Sequence, residues 1–331
     1  MLTGLPPLTL ALLLVAGVAL DLLLGETPRW HPLVGFGNLA GALERRLNKR
    51  LGWRIGRGAL AWSLAVLPLT LLAAAACVID GGAGLAVHAV LLYLCIGLRS
   101  LRDHTLPIAT ALTNGDLDRA RWLTSHIVSR DTKQASEAEL AKAGAESLLE
   151  NGNDAVFGTL FWFAVGGGAG AVLFRLANTL DAMWGYRSER YNLFGRVAAR
   201  IDDVLNYVPA RLTALSYTLL ASGQQNGQLR GQLRGRLRAW RCWRTQAPQW
   251  SSPNAGPVMA SGAGALGVTL GGAAVYDGAV ELRPVLGSGP AAGAADIVRA
   301  WRLVWRTTLL WLAAALAGAL AVTLLRGGWH A

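Results

Sequence analysis

The chain reads as an all-α polytopic membrane protein, with about four transmembrane helices, one or two re-entrant or short helices, cytoplasmic helical loops and a small hairpin near 273–286. Three observations predict this class. Of 331 residues, 53% are hydrophobic and only 15% charged, where a soluble globular chain carries about 25% charged residues. Several apolar runs approach the roughly 20 residues needed to cross a hydrocarbon core of about 30 Å. The net charge of +11, from 31 Lys and Arg against 20 Asp and Glu, collects between those runs. So much apolar sequence excludes intrinsic disorder. The three cysteines, Cys77, Cys95 and Cys242, include no CxxC pair and support neither a zinc ribbon nor a disulfide framework.

The run 5–24 is the first span. No basic residue precedes Arg29, and Leu22-Leu23-Leu24 continues past Asp21, so the run reads as a retained helix and not a cleaved leader. The second span is 59–79, with a kink expected at Pro68. The turn Asp80-Gly-Gly-Ala-Gly84 leads into a short third span, 84–98. The last is 303–325, anchored by Trp301, Trp305, Trp311 and Trp329. The apolar run 155–176 carries Gly166-Gly-Gly-Ala-Gly170 in its middle. It is either one weak helix or two halves of about 11 residues, each crossing half a bilayer. The run 210–222 suits a buried or re-entrant helix.

Residues 1–331 are expected to form one integral membrane domain, with cytoplasmic loops 25–58, 99–154, 177–209 and 223–302. Basic residues set this orientation. The first loop holds Arg29, Arg45, Arg46, Lys49, Arg50, Arg54 and Arg57, and the stretch 222–250 holds Arg230, Arg234, Arg236, Arg238, Arg241 and Arg244 with no acid. There Leu229, Leu233, Leu237 and Trp240 recur at the spacing of an amphipathic helix lying on a membrane. Gly227, Gly231 and Gly235 weaken that pattern, and a topological anchor with no specific ligand is preferred. Nucleic acid is not expected as a partner, because topology accounts for the arginines.

The polar residues form four compact groups. The first is Asp21 to Glu26 with Arg29-Trp-His-Pro32; a carboxylate at the end of a span is costly unless paired or wet, so Asp21 either serves function or snorkels. The second runs from His126 to Asp154. Ser136-Glu-Ala-Glu139 is a capping box that starts a helix reaching about Asn151. Glu146, Glu150 and Asp154 follow one turn apart and suit Mg²⁺ with substrate phosphates; spacing alone favours a solvated face with Lys142 paired to Glu146. The third, 178–211, places Val197, Ile201, Val204 and Val208 on an apolar stripe, with Arg196, Arg200, Asp203 and Asn206 across from it and Asp202 at the edge. That polar face combines the guanidinium, carboxylate and amide groups that hold phosphates and a metal ion. The fourth, Ser251-Ser-Pro-Asn-Ala-Gly-Pro257, leads into Ala260, Gly264 and Gly267. It offers close helix packing and an anion-binding helix N-terminus, or simply a capped helix. Asp277-Gly278 signals the hairpin. The three lysines, Lys49, Lys133 and Lys142, exclude a Walker A loop because none follows glycine, and no HExxH, GxSxG or strand-borne Rossmann fingerprint occurs.

The strings Asp21-Leu-Leu-Leu-Gly, Ile127-Val-Ser-Arg-Asp-Thr132, Glu150-Asn151 with Asp154, Asn178-Thr-Leu-Asp181, Gly185-Tyr186, Arg190-Tyr191, Phe194-Gly195, 202–212 and Ser252-Pro-Asn-Ala-Gly256 occur in this order. Together they resemble the adenosylcobinamide-phosphate synthase family of cobalamin biosynthesis (CobD/CbiB). Gly152-Asn153 stand where the family usually reads Leu-Ser, Gly158-Thr159 replace Ala-Pro, and the common Trp-Pro after Gly256 is missing.

The resemblance implies a multi-pass enzyme of the cytoplasmic (inner) membrane with its active site facing the cytoplasm. Its activity would be a carbon–nitrogen ligation, joining aminopropanol or its O-phosphate to the free propionate of adenosylcobyric acid, with ATP and Mg²⁺ as a substrate complex. On this basis Asp202, Asp203, Arg196, Arg200 and Arg211 are the catalytic candidates, and Glu150, Asp154 and Asp203 the metal candidates. Asp21, Arg130, Asp131, Asn151, Asn178, Asp181, Tyr186, Arg190, Tyr191, Asn206, Ser252 and Asn254 are the substrate-binding candidates. Further partners would be the lipid bilayer and a second copy or other cobalamin-pathway enzymes. A membrane regulator and a small-molecule transporter, neither with ligase activity, are the alternatives. If 155–176 crossed fully, the third group would lie outside the cell, away from ATP. A break at Gly166–Gly170 into re-entrant half-helices is therefore expected.

Overall fold

A computed structural model of the chain describes residues 4–26, 31–49, 52–221, 229–276 and 278–327; Arg29, Arg50, Asp277 and Trp329 lie outside the described residues. The helices run in the order α1 (Pro7–Leu24), α2 (Pro32–Leu47), α3 (Arg54–Ala76), α4 (Gly81–Cys95), α5 (Leu98–Thr113), α6 (Leu117–Ser125), α7 (Glu137–Asn151), α8 (Gly158–Trp184), α9 (Arg196–Leu219), α10 (Leu229–Gln246) and α11 (Ala255–Leu266). The antiparallel strands β1 (Thr269–Tyr276) and β2 (Ala279–Gly287) come next, and α12 (Ala294–Gly327) ends the described chain. Among the described residues five helical stretches are long and apolar enough to cross a membrane: Pro7–Leu24, Arg54–Ala76, Gly81–Thr113, Glu137–Trp184 and Ala294–Arg326. The all-α polytopic membrane class stands. The run 155–176 falls in the fourth stretch, while 210–222 belongs to none and begins as the C-terminal part of α9. On α3, Leu60, Leu64, Leu67 and Leu71 stay exposed along one side, as lipid-facing side chains must.

The chain folds as two compact units, each assembled from separate segments. The first comprises Met1–Arg99, Asp154–Asn206 and Leu312–Ala331. Its core joins α2, α3, α8 and the start of α9 through Phe36, Ala40, Trp62, Ala65, Leu180, Trp184 and Ala198, with Phe194 just before α9. The contact leaves no room for a side chain at Gly58, whose Cβ would fall 1.9 Å from the Phe194 carbonyl oxygen. Within α8 the backbone leaves helical geometry at Gly167 (φ 62°, ψ −150°), a combination open essentially to glycine alone. On a straight helix Gly158 and Phe174 would stand about 24 Å apart. Here a Cβ at Gly158 would meet the Phe174 ring at 2.1 Å, and one at Gly170 would meet the Trp162 carbonyl at 2.2 Å. The chain therefore reverses at Gly167 into two antiparallel half-helices. The N–H of Gly168, freed by the break, donates to His88 Nδ1 of α4 at 2.9 Å, so this backbone group is not stranded at depth.

The second unit comprises Ser100–Asn153 and Tyr207–Trp311. The expected capping box forms: Glu139 N–H donates to Ser136 Oγ, and Ser136 N–H donates to Glu139 Oε2 at 2.8 Å. Every residue of α11 is buried. Its small residues permit this, since a Cβ at Gly264 would lie 2.7 Å from the Ala239 Cα and one at Gly262 2.7 Å from Leu149. The helix α10 meets α11 through Ala239 and Cys242, while Leu233, Leu237 and Trp240 stay exposed. The hairpin expected near 273–286 forms as β1–β2, with a register shift between Gly271 and Ala273.

The two faces of α9 do not divide cleanly into inside and outside: Ile201 packs on the core while Arg196 and Arg200 are exposed. On α9 Val204 is 74% and Val208 47% exposed, whereas Asp202 and Asn206 are buried. Hydropathy separates the two faces of a helix without saying which turns inward. The amide partners of Asp202, not hydropathy, decide that this part of the polar face is the buried one.

Candidate active site

The polar groups of the first unit are built on α1, α2, α8 and α9. At the centre of one, the Asp202 carboxylate accepts from the Asn206 amide at 3.1 Å to each oxygen and from the Asn178 amide at 3.2 Å. The i, i+4 spacing on α9 delivers Asn206, and α8 delivers Asn178. Burial pushes the Asp202 carboxyl up to about 6, against the lowering effect of the two amides. The neighbouring Asp203 is half-buried, and its carboxyl is also raised by burial, against the pull of Arg200 and Arg187. Arg196, Arg200 and Tyr186 are exposed, and Asp181 sits in the last turn of α8 against Gly185.

Two other expected site residues of this unit are engaged in scaffolding. Asp21 is buried and its Oδ2 accepts from the Arg99 N–H at 2.8 Å in the first turn of α5, while the Arg99 guanidinium donates to the Leu22 and Leu23 carbonyls. The end of α1 is thus tied to the start of α5. Arg190 makes a bidentate pair with buried Glu44, at 3.1 and 2.6 Å, and lies over the Tyr191 ring. Burial alone would raise the Glu44 carboxyl, but the bonds from Arg190 and Asn48 hold it below its ordinary value. These contacts lash the 185–195 loop to α2.

In the second unit, Glu146 is buried on α7 and accepts from Arg130, from the Gly271 N–H at 2.7 Å and from Arg283 at 3.2 Å to both oxygens. The expected Lys142–Glu146 pair on a solvated face does not form: Lys142 Nζ donates to the Gly271 and Ala273 carbonyls at 2.9 and 3.0 Å. The hairpin packs over this part of α7 and turns a would-be surface into an interior. Beside it a cavity of about 290 Å³ is lined by Arg130, Asp131, Thr132, Gln134, Lys142 and residues of β1.

A second group in this unit joins two motifs distant in sequence. Arg211 donates to Asn254 Oδ1 at 2.7 Å, to the Pro253 carbonyl at 3.0 Å and to the Tyr207 carbonyl at 3.0 Å, and its guanidinium stacks 3.6 Å over the Tyr207 ring. Ser252 Oγ accepts from the N–H groups of Asn254 and Ala255 at 3.3 and 3.1 Å, just before the first turn of α11. Asn151 is exposed, its amide bonded back to Ser147.

Glu150, Asp154 and Asp203 are not gathered into a metal site, because among the described residues no three His, Cys, Asp or Glu side chains come together as metal ligands. The helix widens into a π-turn over Gly152–Phe157, which takes Asp154 off the i, i+4 row that Glu146 and Glu150 share. These residues do not fit a resident metal, and one arriving with substrate would keep most of its ligands from phosphates and water.

Sequence reasoning missed Glu44 and Arg283 and undervalued Glu146. The available signal for Glu146 was its setting, an acid among the small and apolar residues of 140–149.

The family model described as "CobD/Cbib protein" matches residues 14–304. A "Cobalamin biosynthesis protein CobD" of Stutzerimonas stutzeri is 54% identical over 95% of this chain and 97% of that protein. One of Chromobacterium violaceum is 53% identical over 94% of this chain and 97% of that protein. One of Geobacter metallireducens is 40% identical over 82% of this chain and 85% of that protein. No solved structure matches. Match extent and identity together place the chain in the CobD/CbiB family.

Proposed function

We propose that the protein is a carbon–nitrogen ligase of cobalamin biosynthesis, joining aminopropanol or its O-phosphate to the free propionate of adenosylcobyric acid at the cytoplasmic face of the inner membrane. The observation that carries this reading is the Arg211–Asn254 bond, which draws two family-like motifs 43 residues apart into one place. A carboxylate and an amine do not condense unaided at neutral pH. In the proposed reaction the γ-phosphoryl of ATP passes to a propionate oxygen and ADP leaves. The amine nitrogen then attacks the acyl carbon, loses a proton, and phosphate departs.

The residues are assigned by what each can do. Arg130 and Lys142 line the cavity on α7 and would hold phosphate oxygens, the guanidinium through its planar fork. Arg211 and Asn254 would fix a carboxylate or amide of the corrin periphery. Within the first unit Asp202 is the group suited to proton transfer, since a carboxyl raised to about 6 lies closer to the working pH than an ordinary aspartate. Holding reactants in place can supply roughly 7–11 kcal/mol of the barrier.

The test is a direct assay with detergent-purified full-length protein, adenosylcobyric acid, each amine, ATP and Mg²⁺. Amide product with matching ADP release is expected; folded protein that yields neither with both amines would sink the assignment. Sidedness is tested separately by Ser188→Cys in sealed cells, where labelling by an impermeant reagent from outside would contradict a cytoplasmic site.

A further inference from the structure

At the carbonyl end of α11, Arg299, Arg302 and Arg306 of α12 line a cavity of about 310 Å³ whose other walls include Leu220, Leu266 and Leu303. None of these residues is used by the proposed ligation. Arg299 is committed, pairing with Asp296 Oδ1 and donating to the Leu266 carbonyl. Arg238 of α10 likewise donates to the Gly264 carbonyl at 2.6 Å. These two cations satisfy the orphan carbonyls and negative dipole end of α11. Arg302 and Arg306, one turn apart, are exposed and have no hydrogen-bond or ion-pair partner among the described residues, and no acid lines the cavity. With Asp296 neutralising Arg299, two uncompensated guanidiniums face an opening walled by leucines.

Two guanidiniums beside an apolar wall suit an anion that carries apolar substituents. The position narrows the choice. Both arginines lie in the first half of the Ala294–Arg326 stretch that is long and apolar enough to cross a membrane, and residues 307–325 after them carry no charge, so the pair stands at the polar end of that stretch. Trp301 and Trp305, stacked at 6.4 Å and 21° on the same turns, are residues typical of the headgroup level. In the same unit α10 exposes Leu233, Leu237 and Trp240 beside the exposed Arg234, Arg236 and Arg241, the make-up of a helix lying in an anionic interface.

We propose that Arg302 and Arg306 form a binding pocket for a phosphate-bearing anion, supplied by the headgroup of an anionic phospholipid. The proposal is independent of the ligase reading and stands or falls without it.

The experiment uses full-length protein exchanged into micelles containing phosphatidylglycerol or phosphatidylcholine, with retained lipid read by native mass spectrometry. A parallel arm measures binding of inorganic phosphate. Wild type is expected to retain phosphatidylglycerol in preference to phosphatidylcholine, and R302Q/R306Q to lose that preference by about tenfold or more. R302K/R306K, which keeps the charge without the fork, is expected to recover part of it. Phosphate binding that depends on the same two arginines, with no lipid preference, would support the pocket with a soluble source. Equal retention of lipid and phosphate by wild type and R302Q/R306Q, both unfolding at the same temperature, would overturn the proposal.

Discussion

Two buried carboxylates, one in each unit, illustrate opposite uses of burial. Glu146 is surrounded by positive charge, with Arg130 and Arg283 and the Gly271 N–H all donating to it. Asp202 is held by neutral amides from Asn178 and Asn206. Ion-paired burial pins α7 to the hairpin. Amide-lined burial yields a carboxyl pushed up to about 6, which can change protonation state near neutral pH. A raised carboxyl bonded to neutral amides is the more natural seat for proton transfer, and one caged by cations the more natural keystone.

The largest effect that sharpens this contrast is expected from Asp202→Asn. The substitution keeps the shape and the Oδ1 that accepts from both Asn178 and Asn206, and loses only the second bond from Asn206, so the protein should express with a small change in stability while amide formation falls roughly 10²–10⁴-fold. Near-normal turnover would remove Asp202 from the chemistry. In wild type, turnover should decline as pH drops below about 6, because Asp202 then holds its proton; the variant should lack that limb. The stability linkage runs the other way. The folded value lies above the ordinary 3.8, so the stabilising contribution of this carboxyl is complete below about 4 and is lost as pH rises through about 6. Thermal unfolding against pH should show that loss in wild type and not in the variant.

Glu146→Ala comes next. It strands two guanidiniums that share one carboxylate, and breaking a buried pair costs about 3–5 kcal/mol. The expected readout is a sharply lower unfolding temperature in detergent; a wild-type melting curve would mean that Glu146 is not a keystone. Gly167→Ala should cost about 1–3 kcal/mol because alanine does not tolerate the φ, ψ pair at the chain reversal. Unchanged stability there would argue against two half-helices. The smallest effect is expected from Arg211→Lys, which keeps charge but loses the fork to Asn254 and Pro253. We expect roughly tenfold weaker substrate use, a loss of about 1.4 kcal/mol, read as a change in kcat/KM.

Local features were legible because their causes lie within a turn or two of chain. The Ser136–Glu139 capping box, the β1–β2 hairpin and the span-length apolar runs each arise from neighbouring residues. So does the glycine-rich break in 155–176, which the structure locates at Gly167. The partners of Glu146 were not legible. Arg130 is 16 and Arg283 is 137 positions away, and the local candidate, Lys142, is drawn off to strand carbonyls. The Glu44–Arg190 pair spans 146 positions and left no trace in either motif. Of the expected metal ligands, Glu150 and Asp154 read as one stripe only while the helix is imagined regular, and the π-turn between them removes that premise.

By itself, then, the order of residues determined the membrane class, the run of helices and the motifs that place the chain in its family. These depend on hydropathy, on short-range backbone chemistry and on letters in a row. Tertiary structure alone decided which carboxylates are caged by cations and which by amides, and which face of α9 turns inward. Both are settled by what packs against a helix from far along the chain, which neither hydropathy nor spacing within the helix encodes.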